Sequence, residues 1–66
     1  MNKIVEILMR RDHMSQADAE DVLNQAVDEL EANGYQDGED IMMETLGLEM
    51  DYIFDLIEFA ERRPKR

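Results

Sequence analysis

The chain has no cysteine and no tryptophan, and only one proline and three glycines in 66 residues. Without cysteine there is neither a disulfide framework nor a thiolate metal site, a usage that suits a reducing compartment. No segment approaches the ~20 consecutive apolar residues needed to cross a bilayer. The opening "MNKIVEILMRRD" has no long apolar run and no small-residue cleavage site, so it does not read as a signal peptide. These absences give the expectation of a soluble, cytoplasmic protein with no membrane partner. Ser15, Thr45 and His13 are each the single residue of their type. That leaves little material for nucleophilic catalysis, and Ser15, just ahead of an apolar-periodic segment, suits a helix cap better than a nucleophile.

Positive charge is missing from most of the chain. The seven Lys and Arg residues are confined to the ends: Lys3, Arg10 and Arg11, then Arg62, Arg63, Lys65 and Arg66. All but one (Glu6) of the 17 carboxylates fall in the cation-free span from Asp12 to Glu61, and the formal net charge is −10. Direct binding to nucleic acid is disfavoured, because it draws on Lys and Arg that neutralise phosphates. An acidic surface instead keeps small domains apart in solution, or meets a partner of opposite sign.

The apolar pattern is helical throughout, with no repeat, low-complexity tract or strand pattern. Ile4, Ile7, Leu8 and Arg11 mark one face of a first helix, with Glu6 four residues before Arg10 as a favourable pair. Ser15 opens the second helix, with Asp18 at the capping-box position and Met14 placed to staple onto Ala19. Ala19, Val22, Leu23, Ala26, Val27 and Leu30 then form the cleanest amphipathic stripe, which Gly34 ends as a left-handed C-cap. Asp37 is expected to cap a short third helix with Ile41, Met42 and Leu46 as its apolar face, closed by Gly47. The last helix has a broad apolar set, Tyr52, Ile53, Phe54, Leu56, Ile57, Phe59 and Ala60. The expected fold is therefore all-α, a small bundle of three to four helices spanning about 2–11, 16–33, 38–46 and 50–63. One domain, 1–63, carries a basic tail, 64–66. A chain of this length buries only about 60% of the surface its unfolded form exposes, so one small core is all it holds.

The stretch "NGYQDGEDIMME", Asn33 to Glu44, imitates a calcium loop. With Gly38 at the sixth position, Asn33, Asp37 and Glu44 fall on ligand positions. Tyr35 then occupies the third position, where a short oxygen side chain is required, and Asp40 occupies the eighth, where the residue should be apolar. The loop is better read as two helix ends meeting, and no metal or other cofactor is expected. Carboxylate pairs are too common here to single out an acid–base pair, and so small a bundle has little room for the apolar pocket that raises a carboxyl pKa. The chain is not expected to be an enzyme. Met9, Met14, Met42, Met43 and Met50 suit either core filling or an adaptable binding surface.

The leading candidate for function is the acidic side of the second helix. Asp18, Glu20, Asp21, Asp28, Glu29 and Glu31 spread six carboxylates over a rise of about 20 Å. That density, roughly one charge per 3.3 Å, approaches the 3.4 Å phosphate spacing of one DNA strand. A protein partner with a basic surface, nucleic-acid mimicry included, is the expectation. The alternative is a structural homo-oligomer, a homodimer in its simplest form, joined through Tyr52, Phe54, Ile57 and Phe59.

Taken together, "MRRDHMSQADAEDVL" and "LGLEMDYIFDLI" resemble a pattern in small proteins encoded by bacteriophages and prophages. In those proteins an Arg-Asp turn ends the first helix, "MS" opens an acidic helix, and "LGLE" with an acidic-aromatic pair opens the last. The similarity runs from about Met1 to Ile57. Met50 stands where those proteins often carry proline, the residue suited to a helix's first position. The resemblance implies origin on a mobile element and brings no catalytic or binding residues with it.

Overall fold

A computed structural model describes residues 2–63; the basic tail expected at 64–66 lies outside them. The fold is all-α, as the periodicity predicts. Helix α1 runs Lys3–Arg11, α2 Gln16–Ala32, α3 Gly38–Asp40 with a wider turn at Ile41–Thr45, and α4 Ile53–Arg62 after a tight 3₁₀ turn at Met50–Tyr52. Helices α1, α2 and α4 pack against one another pairwise, and α3 closes one end. No helix among the described residues is long and apolar enough to cross a membrane.

Local chemistry explains most of the boundaries. Asn2 caps α1: its Oδ1 accepts from the Ile4 N–H at 2.8 Å, while its Nδ2 donates to the Asp55 carbonyl at 2.8 Å, tying α1 to α4. The Ser15 hydroxyl accepts from the Asp18 N–H at 3.1 Å, the expected cap of α2. At the other end of α2 the Tyr35 N–H donates to the Leu30 carbonyl and the Gly34 N–H to that of Glu31. This is the 6→1 and 5→2 pairing of a Schellman motif. Gly34 takes the left-handed φ of +65° that the motif requires, and Tyr35 takes the same φ.

Two expectations about the third helix are corrected. Asp37 makes no side-chain cap bond to α3. The third helix is also not α-helical through residue 46. After one α turn it widens, and the Leu46 N–H donates five residues back to Ile41 at 3.0 Å. The apolar residues account for the widening. On an α-helix Leu46 would lie about 140° round from Ile41, whereas the wider turn sets it above Ile41. Ile41, Met42 and Leu46 can then all enter the core, where each is no more than 4% exposed.

The core joins Ile4, Val5 and Leu8 of α1 with Ala19, Leu23, Ala26, Val27 and Leu30 of α2, the three α3 residues, and Leu56 and Ala60 of α4. Val5, rather than Ile7, therefore completes the inner face of α1, and Ile7 lies half-buried at its edge. Met42 lies in the core with Met9 and Met14 packed against it, whereas Met43 and Met50 are exposed.

Candidate functional site

The six carboxylates of α2 all lie outside the core, with Glu20 half-buried and the other five exposed. Successive helical residues turn by about 100°, which sorts them into three rows of two. Asp21 and Asp28 lie farthest from the core; Asp18 and Glu29 are about 80° to one side, and Glu20 and Glu31 about 80° to the other. The Glu20–Glu31 row faces α4, where Glu20 lines a shallow cleft with Phe59 and Arg62. Glu29 faces α3 and accepts a long 3.4 Å bond from the Thr45 hydroxyl.

Part of this surface is engaged within the molecule. Arg63, just past α4, reaches back over α2 and is only 21% exposed in its side chain. It donates to the Asn24 carbonyl at 3.0 Å, pairs with Asp28 at 2.9 Å and with Glu31 at 3.1 Å. The three partners recur at i, i+4 and i+7, one flank of α2, and the guanidinium fork spans them. Asp18, Glu20, Asp21 and Glu29 make no ion pair among the described residues.

A second cation has a comparable structural role. Arg11 donates to the carbonyls of Leu46 and Gly47 at 2.9 and 3.0 Å, which finishes the open end of α3. It also grips Asp12 through two hydrogen bonds of 2.9 and 3.1 Å. Those bonds hold the Asp12 carboxyl below the usual aspartate range and push the Arg11 guanidinium up. Gly47 takes the left-handed φ of +66° that this turn out of α3 requires, and a Cβ there would stand at ordinary contact distance, 3.4 Å, from Arg11 Nη1. The expected Glu6–Arg10 pair does not close.

The four residues expected at a homo-oligomer interface, Tyr52, Phe54, Ile57 and Phe59, separate into two groups. Tyr52 and Phe59 are half-buried and pack against the core. Phe54 is 78% exposed, and it shares the outer flank of α4 with half-buried Ile57 and exposed Met50. Tyr52 also walls an open groove of about 370 Å³ whose other sides are Lys3, Glu6, Ile7, Arg10 and Arg11 of α1. The sequence alone did not single out this groove. Its signal was the pairing of Lys3 and Arg10, seven residues apart, around an apolar Ile7 left over from the core face.

Among the described residues no polar or charged side chain is buried, and no three His, Asp or Glu side chains converge as a metal site would require. The chain matches no known family model, curated protein or solved structure.

Proposed function

We propose that this chain is a non-enzymatic binding module that presents the outer surface of α2 to a protein with a basic surface. The observation that carries this reading is the charge state of that surface. It bears six carboxylates and no cation of its own, and among the described residues the basic side chain that pairs with it, Arg63, engages Asp28 and Glu31 and leaves the other four without an ion pair. A rigid helix holding unpaired carboxylates attracts a basic partner without first paying to order them.

The geometry favours general charge complementarity over a phosphate-spaced imitation of nucleic acid. Within a row, Asp21 and Asp28 are about 10 Å apart along the axis, and Asp18 and Glu29 about 16 Å. Phosphates follow each other every 3.4 Å along a strand. A mobile-element origin, implied by the resemblance of "MRRDHMSQADAEDVL", belongs to the same proposal and would make a host protein the natural target.

Binding to a panel of purified basic nucleic-acid-binding proteins, measured by calorimetry across a salt series, tests the reading. Asp21→Lys with Glu29→Lys is the informative variant, because neither residue contacts Arg63. The expected result is affinity that falls steeply with salt and is lost in the variant while helical circular dichroism is kept. Binding that ignores both salt and the two reversals refutes the proposal.

A further inference from the structure

Two surface features remain unexplained by α2. One is the groove on the outer side of α1, with Ile7 in its floor, Tyr52 as its wall, and Lys3 and Arg10 at its rims. Neither Lys3 nor Arg10 makes an ion pair among the described residues, whereas Arg11 is already committed to Asp12 and to two carbonyls. The other is Phe54, 78% exposed in a chain with only two phenylalanines. Exposed Asp51, Glu58 and Glu61 stand three residues before it and four and seven after, all on its side of the helix. The only ion pair any of them makes among the described residues is the loose 3.7 Å contact of Glu58 with exposed Arg62.

The two features match in chemistry and in register. The groove reads cation, apolar, cation at Lys3, Ile7 and Arg10, with intervals of four and three residues. The ridge reads anion, aromatic, anion at Asp51, Phe54 and Glu58, with intervals of three and four. In both patterns the outer charges are seven residues apart, about 10 Å along α1 and slightly more along the ridge, where the 3₁₀ turn at Met50–Tyr52 leads into α4. They coincide only when one helix is reversed, which sets Arg10 opposite Asp51, Ile7 opposite Phe54 and Lys3 opposite Glu58. A parallel arrangement puts Lys3 against Asp51 but displaces the ring from the Ile7 floor by one residue, about 100° of helical turn.

We propose that the α1 groove receives α4 of a second copy of this chain, antiparallel to α1, with that copy's Phe54 seated on Ile7 against Tyr52. Glu6 also lines the groove; it is exposed and stands about 100° round α1 from Ile7, between Lys3 and Arg10 along the helix. Two copies each of net charge −10 repel at long range, so association needs moderate salt to screen them while the close pairs persist. The contact is made by α1 and α4 and leaves the outer rows of α2 free. It therefore stands or falls separately from the proposed binding of a basic partner.

The experiment is sedimentation velocity over a concentration series at about 0.15 M salt, where the Debye length is near 8 Å. The wild-type chain is expected to gain mass with concentration, and Phe54→Glu, or Lys3→Glu with Arg10→Glu, to remain monomeric with unchanged helical dichroism. Mixing the Lys3→Glu, Arg10→Glu chain with an Asp51→Lys, Glu58→Lys chain should restore a hetero-complex that neither forms alone. Register is read by cysteine pairs, which a cysteine-free chain makes clean. A Lys3→Cys copy mixed with a Glu58→Cys copy should form the mixed disulfide, and a Lys3→Cys copy with an Asp51→Cys copy should not. A wild-type monomer at every concentration overturns the proposal. So does association that survives Phe54→Glu or the groove reversals, or cross-linking of Lys3→Cys with Asp51→Cys instead.

Discussion

Replacing Arg63 with Met removes the tie between the end of α4 and the middle of α2 while keeping most of the side-chain stem. Contacts with three residues are lost: the 3.0 Å bond to the Asn24 carbonyl with a longer 3.4 Å one to its Oδ1, and the pairs with Asp28 and Glu31 at 2.9 and 3.1 Å. Asp28 and Glu31 are 68% and 43% exposed, so solvent screens both pairs. Each then contributes toward the lower part of the ~0.2–1 kcal/mol seen for surface pairs. The bond to Asn24 adds a net ~0.5–1.5 kcal/mol, because the donor is mostly sheltered. The expected loss is about 1–2 kcal/mol. That is a large share of the roughly 3–10 kcal/mol a domain of this size commands.

For a domain of 60–100 residues such a loss corresponds to a fall in Tm of about 5–15 °C. Thermal unfolding followed by circular dichroism at 222 nm measures it, and urea unfolding of the same variants gives the free energy directly. Arg63→Lys separates charge from geometry. It keeps the charge but loses the planar fork that reaches three acceptors at once, so its Tm should lie between that of Arg63→Met and that of the parent. Adding Glu31→Gln to Arg63→Met should cost less than the sum of the two single changes, since the pair is already broken. An Arg63→Met chain that melts within about 1 °C of the parent, or full stability in Arg63→Lys, would refute this account of the tie. So would a difference between parent and Arg63→Met that grows with added salt.

Three further outcomes follow from the backbone and the caps. Tyr35 holds a left-handed φ of +65° and is 56% exposed; Tyr35→Asn should relieve part of the ~1–2 kcal/mol strain of that conformation and raise the urea midpoint. Met50 opens the 3₁₀ turn after an extended Glu49 at ψ 159°, a backbone already suited to proline. Met50→Pro should therefore stabilise by about 0.4–1 kcal/mol, read as a higher Tm, and a lower Tm would contradict this. Arg11 depresses the Asp12 pKa in the folded state. The pair thus contributes stability above the ordinary aspartate value of 3.8 and loses it as pH falls through the lower folded value. Near neutral pH the parent should melt above Asp12→Asn, and that difference should vanish in strong acid; a difference independent of pH would show that the carboxylate charge is irrelevant.

What could be read from the residues was local. Ser15 and Gly34 bound α2 because a hydroxyl acceptor and a left-handed glycine answer needs of the helix ends that lie a few residues away. The α2 stripe was legible because its period is set by one helix. The widened turn of α3 was not, since Ile41, Met42 and Leu46 fit an α-helical face loosely and only the shape of the core selects the wider register. The roles of Arg11 and Arg63 were equally hidden. Their acceptors lie 35 and 36 residues away for Arg11, and 32 and 39 away for Arg63.

This explains why the candidate site was only half legible. Listing Asp18, Glu20, Asp21, Asp28, Glu29 and Glu31 as one acidic side required only helical periodicity. Which of them stay available required knowing where the few cations go. In a bundle the two ends of the chain meet the middle, so cations confined to the ends can tie down an acidic centre that has none. Arg63 is used on α2 and Arg11 on α3, each where carbonyls and carboxylates need a donor. Once those two are committed, Lys3 and Arg10 are left together on α1 with an apolar floor between them. With Arg63 and Arg11 committed, Lys3 and Arg10 are the groove cations on which the proposed docking of a second copy's Phe54 rests.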